Sequence, residues 1–332
     1  MKDRILILGA GAWGTALAII LHRNGHAVEV WGHDPEYTLR IQTTRENSKF
    51  LPGVALPAAI RFEAAPERLS PQADIVVSVV PTQFLRAATA EVAAAVPPGA
   101  PVVSGSKGFE RGTYLLPSQI LRERFPQSSV AVLSGPSHAE EVSRGLPAAL
   151  VVAGGEAEVP AQFQRALSGP RLRVYTSADP LGVEVGGAAK NVIALAAGIS
   201  DGLGFGDNAR AALLTRGLHE ITRLGVALGG RAETFAGLTG MGDLVATATS
   251  EHSRNRAVGI RLARGETLAG ILGSVEKVAE GVETARSIHE LSRKLNVELP
   301  IAREVSAVLF ENKPPRRAVE DLMERESKGE QD

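Results

Sequence analysis

The stretch ILILGAGAWGTALAII, residues 5–20, decides the fold. Four apolar residues, Ile5 to Leu8, read as a short strand buried on both faces, and the run from Thr15 onward reads as a helix. Between them Gly9, Gly11 and Gly14 satisfy the G-x-G-x-x-G spacing. The first glycine permits a tight turn, the second lets a pyrophosphate approach the backbone, and the third lets helix and strand pack closely. Free amides at the helix start then face the anion. With a second strand, VEVW at 28–31, following the helix, the stretch reads as the opening of a dinucleotide-binding unit and not as an ordinary strand-to-helix turn.

Working outward, the end of the second strand reads WGHD. Enzymes that select the unphosphorylated cofactor place an acid there for the ribose hydroxyls. Here Gly32 and His33 occupy that place, so the sequence leans toward NADPH over NADH, with Asp34 read as a turn residue before Pro35. Further runs follow at 74–80 (DIVVSVV), 101–104 (PVVS), 130–134 (VAVLS) and 149–153 (ALVVA), separated by helical patterns. They imply a parallel sheet covered on both faces. After Tyr175 the texture becomes helical, and TSADP at 176–180 reads as the turn between the two parts. The expected fold class is α/β: a Rossmann-type doubly wound sheet over residues 1–180, followed by an all-helical C-terminal domain over 181–332 that binds substrate and carries the catalytic groups.

Bulk properties narrow the function classes. A chain of 332 residues suggests two domains, and 44% hydrophobic with 22% charged residues is ordinary for a globular protein. A formal net charge of −1 gives no sign of a nucleic-acid or membrane-surface partner. No cysteine is present, and the seven histidines are scattered, so neither a disulfide nor a metal site is expected. Ile5–Leu8 is too short for a signal sequence, no window approaches a membrane span, and a cytoplasmic location is the expectation. A G-x-S-x-G elbow is absent, which argues against an esterase.

The stretch GGAAKNVIALAAG, Gly186 to Gly198, sets Lys190 among small apolar residues, with no carboxylate at helical spacing to neutralise it. An amine stripped of water has a lowered pKa and becomes a proton carrier near neutrality. Asp243, in the glycine-dense GLTGMGDL, is the candidate counter-charge. The residues alone equally allow a snorkelling lysine and a helix-capping aspartate. SRNR, Ser253 to Arg256, reads as a capped helix start whose amides and guanidinium suit a phosphate, or as a solvated basic turn. Ser137 and Glu140 have capping-box spacing. Lys107, just past PVVS, is a strand-end lysine that is either solvated or turned to a ligand. Trp13 covers the pyrophosphate, fills the helix-to-sheet interface, or does both.

The segments GAGAWGTALA, NGHAVEVWGHDP, SKGFE, SGPSHAEEV, GGAAKNVIALAAGISDGLGFGDNARAALLTRGL, GLTGMGDLVATATSEHSRNRAVG and VAEGVETA occur in this order over nearly the whole chain. Together they resemble the bacterial-type NAD(P)-dependent glycerol-3-phosphate dehydrogenases. The resemblance implies reversible reduction of dihydroxyacetone phosphate to sn-glycerol 3-phosphate, a precursor of glycerophospholipids, by a homodimer or similar small oligomer. It implies that Lys190 is the catalytic proton carrier, with Asp243 beside it. It assigns Lys107, Gly135, Ser137, Ser253, Arg254 and Asn255 to the substrate site. Besides Gly9, Gly11 and Gly14, it sets the cofactor against Ala12, Trp13, His33, Lys107 and Ala139, and against Arg254, Val278 and Glu280. One departure stands out: His138 occupies a position where the family commonly has phenylalanine. Two rivals share the nucleotide half, a two-domain reductase of hydroxy acids and a non-catalytic cofactor sensor. The second gives no account of Lys190, Asp243 and Arg254 together.

Overall fold

The computed structural model describes residues 2–274, 279–327 and 329–330. Among these residues ten strands form: β1 (Arg4–Leu8), β2 (Ala27–Trp31), β3 (Glu46–Asn47), β4 (Leu51–Ala55), β5 (Arg61–Glu63), β6 (Ile75–Ser78), β7 (Val102–Ser104), β8 (Val130–Ser134), β9 (Ala148–Ala153) and β10 (Leu172–Ser177). Eight of them make one sheet in the order β10-β9-β8-β7-β6-β1-β2-β5, while β3 and β4 form a separate hairpin. The helices of this half are α1 (Ala12–Arg23), α2 (Pro35–Thr44), α3 (Thr82–Glu91), α4 (Pro117–Arg124), α5 (Ala139–Ser143) and α6 (Glu158–Leu167).

Alternation along β1 shows how the layers form. Ile5 and Ile7 bury on one face with Leu17 of α1 and Phe163 of α6, and Leu6 and Leu8 on the other with Leu85 of α3 and Leu121 of α4. Both faces are covered, as the apolar run predicts. The chain leaves β1 for β2 on one side and later returns to β6 on the other, so a crevice opens at the carboxyl ends beside Gly9.

Two expectations about the sheet are corrected. The sheet is mixed, because β9 runs antiparallel to β8. The only helix between them, α5, has five residues, about 8 Å of helix, too short to carry the chain back along the sheet for a parallel crossover. Strand β10 also forms, where the sequence shows only a change of texture. It is the edge strand, and Leu172 and Val174 point inward while Arg173 and Tyr175 stay exposed, so no continuous apolar run marks it.

The second half contains helices alone among the described residues: α7 (Pro180–Gly202), α8 (Asp207–Ala227), α9 (Ala232–Phe235), α10 (Asp243–Thr249), α11 (Arg254–Ala263), α12 (Leu268–Ser274), α13 (Glu280–Leu295), α14 (Pro300–Phe310) and α15 (Pro315–Met323). A wide π-turn, Leu238–Gly242, leads into α10. Helix α7 is the axis. Asp179 caps it, accepting from Gly182 N at 2.9 Å, and Val183 to Ser200 are buried throughout. Contrary to the sequence reading, α7 is long and apolar enough to cross a membrane by length and composition. Its apolarity is instead spent inside the fold, where the whole of its most apolar window is covered by protein. Val183 packs on Val132, Val151 and Ala153 of the sheet, and further along Val192 and Leu195 join a core with Leu244, Val258 and Ile288.

Candidate active site

The site grows from the meeting of α7 with the carboxyl edge of β8. A Cβ on Gly187 would lie 2.6 Å from Ser134 Oγ and 3.7 Å from the Lys107 stem, so the glycine lets the helix touch the strand end. Thr239, on the π-turn, donates to the Val183 carbonyl at 2.6 Å and lies 3.0 Å from Ser134 Oγ. These contacts hold the start of α10 against α7 and bring Asp243 to Lys190.

Asp243 Oδ1 is ion-paired with Lys190 Nζ, and Oδ2 accepts from Lys107 Nζ at 2.7 Å. Lys190 also donates to Thr247 Oγ1 at 2.6 Å, and Lys107 lies 3.5 Å from the Gly135 carbonyl. The Lys190 and Asp243 side chains are only 6% and 3% exposed. That excludes a snorkelling lysine, and Asp243 does not N-cap the helix that follows it, since Gly242 occupies that position of α10. Thr247 is missing from the sequence reading. Its signal was its place four residues after Asp243, on the same face of a helix.

Two ammonium groups and one carboxylate leave the cluster short of negative charge. Burial pushes Lys190 down to about 7; Asp243 opposes the fall and Lys107 adds to it. Burial alone would raise Asp243, but Lys107 and Lys190 outweigh it and hold the carboxyl below its ordinary value. Glu280, at the head of α13, is pushed up by burial, against the pull of Arg254, Lys107 and Lys190. Glu280 thus feels Arg254, Lys107 and Lys190, and the two lysines feel Asp243, which draws α7, α10, α11 and α13 into one site.

The start of α11 is built as its sequence suggests. Ser253 caps it by accepting from Arg256 N at 3.2 Å, and Asn255 Oδ1 accepts from Gly281 N at 3.0 Å, tying α11 to α13. Arg254 stands at the first position of this helix. Arg256 turns away to Asp201, 2.7 Å from Nε. At the sheet edge, Gly135 has φ +123°, and Ser137 donates to its carbonyl at 2.9 Å. The capping-box reading of Ser137 and Glu140 does not hold, because the folded-back carbonyl takes the hydroxyl and His138 occupies the cap position before Ala139 of α5. His138 lies with Nε2 3.3 Å from the Ala246 carbonyl, which requires the proton on Nε2, and its ring is 5.8 Å from that of His252. Burial lowers its pKa.

The glycine loop has the geometry its spacing demands. Gly9 has φ +117°, a Cβ on Gly14 would collide with the Gly9 carbonyl, and around Gly11 there is open space. Gly11 caps α1, so the amides of Ala12 and Trp13 open the helix. Trp13 packs on the core, and its indole nitrogen would be 3.2 Å from a Cβ at Gly105, the strand exit that leads to Lys107. His33 is exposed beyond β2, while Asp34 caps α2 by accepting from Tyr37 N at 3.0 Å, a firmer duty than a turn residue. Val278 lies outside the described residues.

Comparison with known proteins now adds to this geometry. Residues 4–159 match the family model described as NAD-dependent glycerol-3-phosphate dehydrogenase N-terminus, and residues 179–320 the corresponding C-terminus. The chain belongs to the NAD-dependent glycerol-3-phosphate dehydrogenase family. A relative from Geobacter sulfurreducens, named glycerol-3-phosphate dehydrogenase NAD(P)+, is 49% identical over 99% of both chains. One from Trichlorobacter lovleyi under the same name is also 49% identical, over 99% of both. The crystal structure of glycerol-3-phosphate dehydrogenase from Coxiella burnetii superposes with a TM-score of 0.93 at 36% identity, covering 98% of this chain and 99% of that one. Membership in this dehydrogenase family displaces both the hydroxy-acid reductase and the cofactor sensor.

Proposed function

We propose that Lys190 is the proton carrier in the reversible, NAD(P)-dependent reduction of dihydroxyacetone phosphate to sn-glycerol 3-phosphate, the reaction of this family. The observation that carries the reading is a buried amine with a lowered pKa, paired to a carboxylate and a hydroxyl, at the edge where the glycine loop opens. The open backbone at Gly11 and the collision-tight pairing of Gly9 with Gly14 fit a dinucleotide pyrophosphate. When bound, the reduced nicotinamide supplies hydride to the ketone carbon.

This chain's own residues do the rest. The Lys190 ammonium hydrogen-bonds the ketone oxygen and gives it a proton as negative charge develops there. Asp243 and Thr247 fix the amine's direction, and Asp243 also keeps enough of it protonated. Lys107, sharing that carboxylate, adds positive field at the same edge. Ser253, Arg254 and Asn255 seat the substrate phosphate at the start of α11, and Gly135 and Ser137 complete the substrate site. Ala12, Trp13, His33, Ala139, Arg254, Val278 and Glu280 complete the cofactor site. NADPH is the favoured cofactor, because Asp34 is occupied in capping α2 and His33 stands open to a 2′-phosphate. The working form is a cytoplasmic homodimer, a reading supported by the family resemblance.

The test follows oxidation of NADPH and NADH separately, with dihydroxyacetone phosphate and with unphosphorylated dihydroxyacetone. Lys190→Ala should bind cofactor normally and lose about a thousandfold or more in turnover. Undiminished turnover in that variant refutes the assignment.

A further inference from the structure

The β3–β4 hairpin, Glu46–Ala55, is an insertion between α2 and β5 whose purpose neither the sheet nor the reaction explains. Its one fully buried polar side chain is Asn47. The carboxamide is engaged on both sides. Nδ2 donates to the Ala10 carbonyl at 2.9 Å and to Thr15 Oγ1 at 2.7 Å, while Oδ1 accepts from the Tyr37 hydroxyl at 2.6 Å and from Phe50 N at 3.3 Å. Tyr37 in turn accepts from Lys49 N at 2.9 Å.

Ala10 is the residue between the first two glycines of the phosphate loop. In a trans peptide the carbonyl of one residue and the amide of the next point in opposite directions. Holding the Ala10 carbonyl inward therefore turns the Gly11 amide outward, away from the hairpin, at a glycine where even a Cβ would meet nothing within 4 Å. Glycines leave such a peptide free to flip, and an unanchored loop would lose amides from the anion site part of the time. Thr15, in the first turn of α1, is fixed by the same carboxamide. The Tyr37 hydroxyl extends the link to α2, whose cap follows His33.

We infer that Asn47 is the positioning residue of the phosphate loop, locking the Ala10–Gly11 peptide so that the loop is preformed for a dinucleotide pyrophosphate. The inference rests on the reading that a dinucleotide lies on Gly9–Gly14.

Binding is measured directly, by fluorescence titration of NADPH and of NADH into the full-length protein and into Asn47→Ala and Tyr37→Phe, alongside the KM for dihydroxyacetone phosphate at saturating cofactor. Asn47→Ala should weaken both cofactors by the same factor, about tenfold, because the pyrophosphate is common to them and one buried carbonyl loses its donor. The triose phosphate KM should stay unchanged. Tyr37→Phe keeps the ring and removes one bond to Asn47, so it reports even if the alanine variant does not fold, and about threefold weakening of both cofactors is expected. Unaltered affinities in the variants, or a triose phosphate KM that rises in step with the cofactor loss, overturn the inference. A wild-type protein that binds neither dinucleotide overturns the underlying reading instead.

Discussion

At the scale of single residues, the cluster of Lys107, Lys190, Asp243 and Thr247 fixes how the activity should answer pH. If Lys190 carries the proton as proposed, ketone reduction draws on its ammonium form and alcohol oxidation on the amine. With burial bringing its pKa to about 7, kcat/KM for dihydroxyacetone phosphate should fall as pH rises through about 7, and kcat/KM for glycerol 3-phosphate should rise. Parallel profiles in both directions, measured from pH 5.5 to 9, would assign the proton to another group. Much of this cluster was legible in the chain. A lysine in GGAAKN with no acid at helical spacing demands a partner from elsewhere, and a glycine-dense stretch ending in aspartate supplies one. Lys107 was a candidate from the start, but its pairing with Asp243 was not legible, because it depends on where β7 ends relative to α7. Thr247 was passed over, being one of two threonines in VATAT.

At the scale of elements, buried acids join helices end to side. Glu184 of α7 accepts from Ser118 N at 2.8 Å and Ser118 Oγ at 2.6 Å at the start of α4, and Glu220 of α8 accepts from Ile301 N and Ala302 N at the start of α14. Burial pushes each carboxyl up to about 7, while the helix-start donors resist. Between about pH 4.5 and 7 the folded protein therefore holds more protons at these sites than the unfolded chain does. Their contribution to stability is full below that window and declines as pH rises through it. Thermal melting at pH 5 and pH 8 should show this loss in the wild type and a smaller one in Glu184→Gln and Glu220→Gln, which cannot ionise. An unchanged pH dependence in both variants would place the titrating groups elsewhere. None of these links was readable in sequence, since each joins residues 66 to 82 positions apart. The six apolar strand runs, by contrast, announced themselves, while the β3–β4 hairpin, the short β5 and the half-exposed β10 escaped. The direction of β9 escaped too, because it depends on the length of α5 and not on the strand's own residues.

For the whole molecule, we propose the division at 180/181, at the capped start of α7, as the pattern change after Tyr175 suggests. The halves are nonetheless not independent cores. Phe109 and Leu116, from the nucleotide half, are buried in the helical core, and Val183 covers Val132, Val151 and Ala153. A piece ending at residue 180 should bind a hydrophobic dye strongly and melt well below the intact protein, by 10 °C or more on the order-of-magnitude scale of exposing several large apolar side chains. Melting at the intact protein's temperature would show that these contacts are incidental.

The helical half also contains a gauge. Gly198 of α7 faces the Arg256 carbonyl and Gly259 of α11 faces the Leu195 carbonyl so closely that a Cβ at either would collide with the opposite main chain. Main chain against main chain, with no compressible side chains between, leaves these two helices one spacing. If the amine and the phosphate seat act as proposed, they stand a fixed stride apart, and the site should select its ketone by length as well as by charge. A ketose phosphate one carbon longer should be a poor substrate at any concentration. Widening the stride by Gly259→Ala should cost the native triose phosphate more turnover than it costs the longer compound.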